Sequence, residues 1–133
     1  MSVSYTYSFK VENKHTDQLG HVNNVVYLQW VNDASELHWN KLSNIRIRSK
    51  YFWVVLRHEI DYLDQAVPGD QLTVRTWVGE SSGVKSVRHV EIMKEKGVLA
   101  RSRSTWCLID ANTLRPTRIK EDILSLLEPS DQP

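Results

Sequence analysis

Cysteine occurs once in this chain, at Cys107. A lone thiol closes no intrachain disulfide, so packing must hold the fold, and a reducing cytoplasm is the expected compartment. Net charge is equally scarce: 17 Lys and Arg against 16 Asp and Glu leave +1. Nothing in that balance provides an electrostatic footprint for nucleic acid or for an anionic membrane surface. No apolar run approaches the roughly 18 residues of a membrane span. The opening "MSVSYTYSFKVENK" has no apolar core of signal-peptide length. There is no glycine-rich phosphate loop, and His38, His58 and His89 lack the close spacing of a zinc site. Neither a metal nor an organic cofactor is expected. Repeats and low-complexity tracts are also missing.

What is present fits one domain over residues 1–133, with 41% hydrophobic and 25% charged residues. That length suffices for one sizeable core. Residues 3–11, rich in Tyr, Phe and Val, read as a strand. Gly20 breaks the chain, and Asn23 or Asn24 can cap a helix running to about Leu42. Its apolar positions cover more than one narrow stripe, which predicts a helix surrounded by protein.

After Lys50 the period changes to two. Val54, Leu56, His58, Ile60 and Tyr62 should share one face of a strand, and Arg57, Glu59 and Asp61 the other. Turns at 68–70, 80–83 and 94–97 separate further strands at 72–78, 84–94 and 98–110. On the last strand Ala100, Ser102 and Ser104 form a row of small residues suited to close approach of a helix. Residues 119–127 read as a short terminal helix, followed by a frayed end. Consecutive hairpins imply an antiparallel sheet, and one long helix must bury itself against it. The fold class is therefore α+β.

"HTDQLGHVNNVVYLQW", His15 to Trp30, is the most informative stretch. It resembles the signature of the hotdog-fold acyl thioesterases of the 4-hydroxybenzoyl-CoA thioesterase-like group, roughly D-x-D-x-x-G-H-V-N-N-x-x-Y. Asp17, Gly20, His21, Val22, Asn23, Asn24 and Tyr27 match, and His15 replaces the first Asp. "RHEIDYLDQAVPGDQLTVRTWV" (57–78) and "ARSRSTWCLIDANTLRPTRI" (100–119) extend the likeness across nearly the whole chain. The resemblance implies an antiparallel sheet wrapped around one long central helix. It implies dimers whose sheets join edge to edge, often paired into tetramers, with active sites at the dimer interface. The implied substrate is an acyl thioester of CoA or of acyl carrier protein.

The residues make chemical sense of that reading. A thioester carbonyl needs its oxygen stabilised as it becomes tetrahedral. Free N–H groups at a helix start, aided by the helix dipole, can supply this. Gly20 allows close backbone approach. Asp17, just before the helix, can attack the carbonyl or activate water. The expected catalytic set is thus Asp17, Gly20 and His21. The resemblance extends His21 to plant acyl-ACP thioesterases, where that His is catalytic, but their neighbouring catalytic Asn corresponds to Leu19 here. Asn24, Tyr27, Lys85 and Arg88 are the expected substrate contacts, the last two through CoA phosphates. Glu36 on the helix is the reserve carboxylate. His58 reads as a satisfied core histidine, and Cys107 as structural. The alternatives to an acyl-CoA thioesterase are an acyl-ACP thioesterase and a non-catalytic acyl-thioester-binding protein.

Overall fold

The long helix begins where its cap predicts. In the computed structural model, which describes residues 4–95 and 97–127, helix α1 spans Asn24–Leu42, and Asn23 is its cap, accepting from the Val25 N–H through Oδ1 at 3.0 Å. The helix contains several weak helix formers, Val25, Val26, Val31 and Asp33 among them. Each costs a few tenths of a kcal/mol, whereas burying one large apolar side chain returns roughly 1.5–3 kcal/mol. Packing therefore decides the conformation. Tyr27, Trp30, Val31, Ala34, Ser35 and His38 recur at three- and four-residue intervals and are buried. The opposite face is open: Val25 is 70% and Leu37 42% exposed. The expectation of a helix covered all round is thus corrected, because within one chain the sheet reaches only one side.

Five strands form one sheet: β1 (Ser4–Lys10), β2 (Tyr51–Tyr62), β3 (Gln71–Ser82), β4 (Lys85–Lys94) and β5 (Gly97–Asp110). Their order is β1-β3-β4-β5-β2, with every pair antiparallel. This is the hotdog arrangement. The β3–β4 hairpin turns over only Gly83 and Val84, shorter than the predicted 80–83 turn, because Gly83 adopts φ +65°. Val3, Lys96 within the predicted 94–97 turn, and the 128–133 end lie outside the described residues. Among the described residues there are two further short α-helices, α2 (Ile45–Lys50), which the sequence does not announce, and α3 (Glu121–Leu127), and a single 3-10 turn at Asn13–His15.

On β3, Leu72, Val74 and Val78 are buried as their alternation predicts, with Thr76 beside them. On β2 the alternation fails. The register shifts between Val55 and Arg57, so Leu56 is the extra residue of a bulge. Val54 lies opposite Cys107 and His58 opposite Ser104, which puts Val54 and His58 on different faces. The inner face of β2 is Trp53, Val55, His58 and Ile60. Helix α1 lies chiefly over β3 and β4 and not over the small row of β5. Ala100, Ser102 and Ser104 are nonetheless buried. A groove consequently opens between α1 and β2.

Candidate active site

The loop from His15 to Asn23 closes on itself. Thr16 and Val22 form a bridge, and the Asp17 N–H donates to the His21 C=O at 2.7 Å. The Asp17 carboxylate accepts from the Leu19 N–H at 2.8 Å and the His21 N–H at 3.1 Å, both through Oδ1. Oδ2 has no partner among the described residues. Gly20, at φ +80°, makes the reversal that aims these two N–H groups. His15 anchors the loop: its Nδ1 accepts from the Glu12 N–H, and its ring meets Trp30 edge-on at 5.4 Å. Asp17 is exposed and His21 half-buried.

The loop delivers the chain directly to the start of α1. The Val25 N–H is taken by Asn23 Oδ1, and the Val26 N–H by the Asn23 C=O at 2.8 Å. The Asn24 N–H has no acceptor among the described residues. It is a donor at the positive end of the helix dipole, a few residues after the carboxylate. Asn24 is therefore the first helical residue and not the cap. The site's other end is pinned by Ala66, whose C=O accepts from the Val22 N–H at 3.0 Å and whose N–H donates to the Tyr27 hydroxyl at 2.9 Å. This corrects the reading of Tyr27 as a substrate contact. It is 2% exposed, its hydroxyl is committed to Ala66, and burial raises its pKa.

The expectation that Lys85 and Arg88 both meet CoA phosphates meets a difference in facing. An odd separation on a strand sends side chains to opposite faces. Lys85 is exposed at the start of β4, whereas Arg88 faces inward and is 6% exposed. The Arg88 guanidinium donates through Nη1 to His38 Nδ1 at 2.8 Å and to Thr76 Oγ1 at 3.0 Å. The Thr76 hydroxyl in turn donates to the His89 C=O at 2.8 Å. Burial pushes Arg88 down to about 10. Burial, and then the charge of Arg88, push His38 down to about 4, so His38 stands neutral beside the cation. His58 is half satisfied: its Nδ1 lies 2.6 Å from Ser104 Oγ, while Nε2 is buried without a partner. Cys107 is buried and, with its Sγ 3.7 Å from the Leu108 C=O, structural.

Arg88 lies on the groove between α1 and β2, a cavity of about 780 Å³. Trp39, Trp53 and Trp106 wall it, and Glu36, exposed, lines it too. Two of its polar atoms, Asn32 Oδ1 and Trp106 Nε1, are buried without partners. A smaller cavity of about 360 Å³ lies against His15 and Trp30 and shares Glu36. Asp17, Gly20, His21 and Asn24 line neither cavity. One chain thus brings Asp17, Gly20, His21 and Asn24, expected from the sequence to form the site, together at the helix start but leaves them apart from the groove between α1 and β2. Sequence reasoning missed the Arg88–His38–Thr76 cluster. The signal was present, since Arg88 falls in phase with Val90 and Ile92.

With this geometry in view, comparison with known proteins is direct. The model of the thioesterase-like superfamily matches residues 11–127. The chain belongs to the thioesterase-like superfamily. It is 26% identical over 129 residues to the long-chain acyl-CoA thioesterase FadM of Escherichia coli, covering 90% of this chain and 93% of that protein. A predicted thioesterase from Bacillus stearothermophilus superposes with a TM-score of 0.85 at 26% identity, over 98% of this chain and 99% of that one. A 1,4-dihydroxy-2-naphthoyl-CoA thioesterase from Synechocystis superposes with a TM-score of 0.79 at 22% identity, over 98% of this chain and all of that one, a likeness of fold. No helix among the described residues is long and apolar enough to cross a membrane.

Proposed function

We propose that this protein hydrolyses acyl-CoA thioesters to the free carboxylic acid and CoA, acting in the cytoplasm. The observation that carries this is the placement of Asp17, oriented by two backbone N–H groups, immediately before a helix whose first N–H is open. In the general-base form, Asp17 Oδ2 takes a proton from water as the water oxygen attacks the thioester carbon. The Asn24 N–H then donates a hydrogen bond to the developing oxyanion. Collapse breaks the carbon–sulfur bond, and the departing thiolate recovers the proton. In the nucleophilic form, an Asp17 carboxylate oxygen attacks the thioester carbon, the carbon–sulfur bond breaks to release CoA thiolate, and water hydrolyses the resulting mixed anhydride to the free acid and the Asp17 carboxylate, its proton going to the thiolate. His21 holds the loop closed on Asp17 through its backbone.

The same reading makes the working unit at least a homodimer. β2 is paired on one side only, by β5, and its outer positions Phe52, Val54 and Leu56 are exposed. A second β2 alongside would satisfy that edge. It would also set the Asp17 loop of one protomer near the groove of its partner. Thiol release measured with a panel of acyl-CoAs, and with acyl carrier protein thioesters alongside, tests the activity. Turnover of acyl-CoA supports it, and binding without release contradicts it. Sedimentation at micromolar protein should give a dimer or larger; monomer alone would contradict a shared site.

A further inference from the structure

The groove between α1 and β2 is polar where a plain acyl tunnel would be apolar. Arg88 lines it and is 6% exposed, with no carboxylate partner among the described residues. Its bonding partners, His38 and Thr76, are both neutral, and both are served by Nη1 alone. A guanidinium taken out of water without a counter-charge is costly, and an anion placed against it recovers much of that cost. The planar fork of Arg suits a carboxylate in particular. Trp106 is a second candidate donor: the residue lines the same groove, and its Nε1 is buried without a partner. Arg88 and Trp106 thus line a cavity of about 780 Å³ whose walls combine aromatic and aliphatic side chains with the polar Gln29, Asn32, Ser35, Asn40, Arg48 and Ser86. The acids that also line it, Asp33 and Glu36, are exposed and lie toward solvent.

We infer that the groove is an acyl-end subsite selecting acyl groups that carry a carboxylate remote from the thioester, with Arg88 pairing that carboxylate and Trp106 Nε1 donating to it. This rests on the thioesterase reading above and names its substrate class. An apolar chain end in the same place would leave Arg88 and Trp106 Nε1 without acceptors. A dicarboxylic acyl group with one carboxyl in thioester linkage to CoA satisfies both.

The test is thiol release from CoA thioesters matched in chain length, one series ending in methyl and the other in carboxylate. The parent should favour the carboxylate series in kcat/KM by about tenfold or more, the worth of one charged hydrogen bond. Arg88→Met, which keeps much of the packing volume, should bring that ratio toward one. Trp106→Phe, which keeps a ring and removes only the N–H, should lower the ratio more modestly, and it serves if Arg88→Met does not fold. Equal or faster turnover of the methyl series by the parent overturns the subsite while the thioesterase reading stands. Release from neither series overturns the thioesterase reading and the subsite with it.

Discussion

Acidification from about pH 7 to 5 should cost this protein roughly 2 kcal/mol of stability through one side chain, His38. His38 Nδ1 accepts a hydrogen bond from Arg88 at 2.8 Å. Arg has only donors, so the imidazole must present its bare nitrogen there. A second proton would set donor against donor beside a buried cation. The folded pKa is accordingly lowered from 6.5 to about 4, by burial first and by Arg88 second. Between those values the unfolded chain binds a proton that the folded chain refuses. Stability then rises with pH, is fully present above the unfolded value, and is lost as pH falls toward 4. One proton corresponds to about 1.4 kcal/mol per pH unit, so the fall from about 6.5 to 5 costs roughly 2 kcal/mol. His58 and His89, both lowered chiefly by burial, act in the same direction. His38→Gln separates them: it keeps an acceptor for Arg88 and cannot titrate. Urea unfolding followed by tryptophan fluorescence at pH 7, 6 and 5 should show a shallower pH slope in the variant than in the parent. Parallel loss in both proteins would refute the reasoning.

Two further substitutions probe the frame around Asp17. Tyr27→Phe strands the buried Ala66 N–H and should destabilise by about 1–3 kcal/mol in the same unfolding assay; a variant as stable as the parent would show that Ala66 finds another acceptor. Gly20→Ala meets no neighbouring atom but imposes a side chain at φ +80°, so a penalty of roughly 1–2 kcal/mol from backbone strain alone is expected. An unchanged melting temperature would mean the loop relaxes at no cost.

Local patterns made part of this molecule legible. The Asn23 cap, the alternation of Leu72, Val74, Thr76 and Val78, and the hairpins all follow from near neighbours in sequence. The signature from Asp17 to Tyr27 marked the loop and helix start that the structure places together. What failed was what depends on partners far along the chain. The bulge at Leu56 reverses the facing of Val54, and no strict period of two announces it. The α1 apolar residues overfilled one stripe, yet the sheet covers one side only, and the surplus faces outward. Tyr27 is aromatic in a site motif, but its hydroxyl is claimed by Ala66, 39 residues later. Lys85 and Arg88 form a basic pair only when the strand's alternation is ignored. The groove itself combines residues from α1, β2, β4 and β5, and no single stretch of sequence contains it.

The central claim is that Asp17 does the chemistry, and Asp17→Asn tests it most directly. Asn keeps an oxygen to accept from the Leu19 and His21 N–H groups, so the loop should hold and the protein should melt as the parent does. It removes the charge and basicity that attack or proton abstraction requires. In acyl-CoA thiol release, kcat should fall by about 10²-fold or more, with acyl-CoA binding retained. A variant that folds normally and turns over within a few-fold of the parent would contradict the assignment and make Glu36, which lines both cavities, the next carboxylate to test.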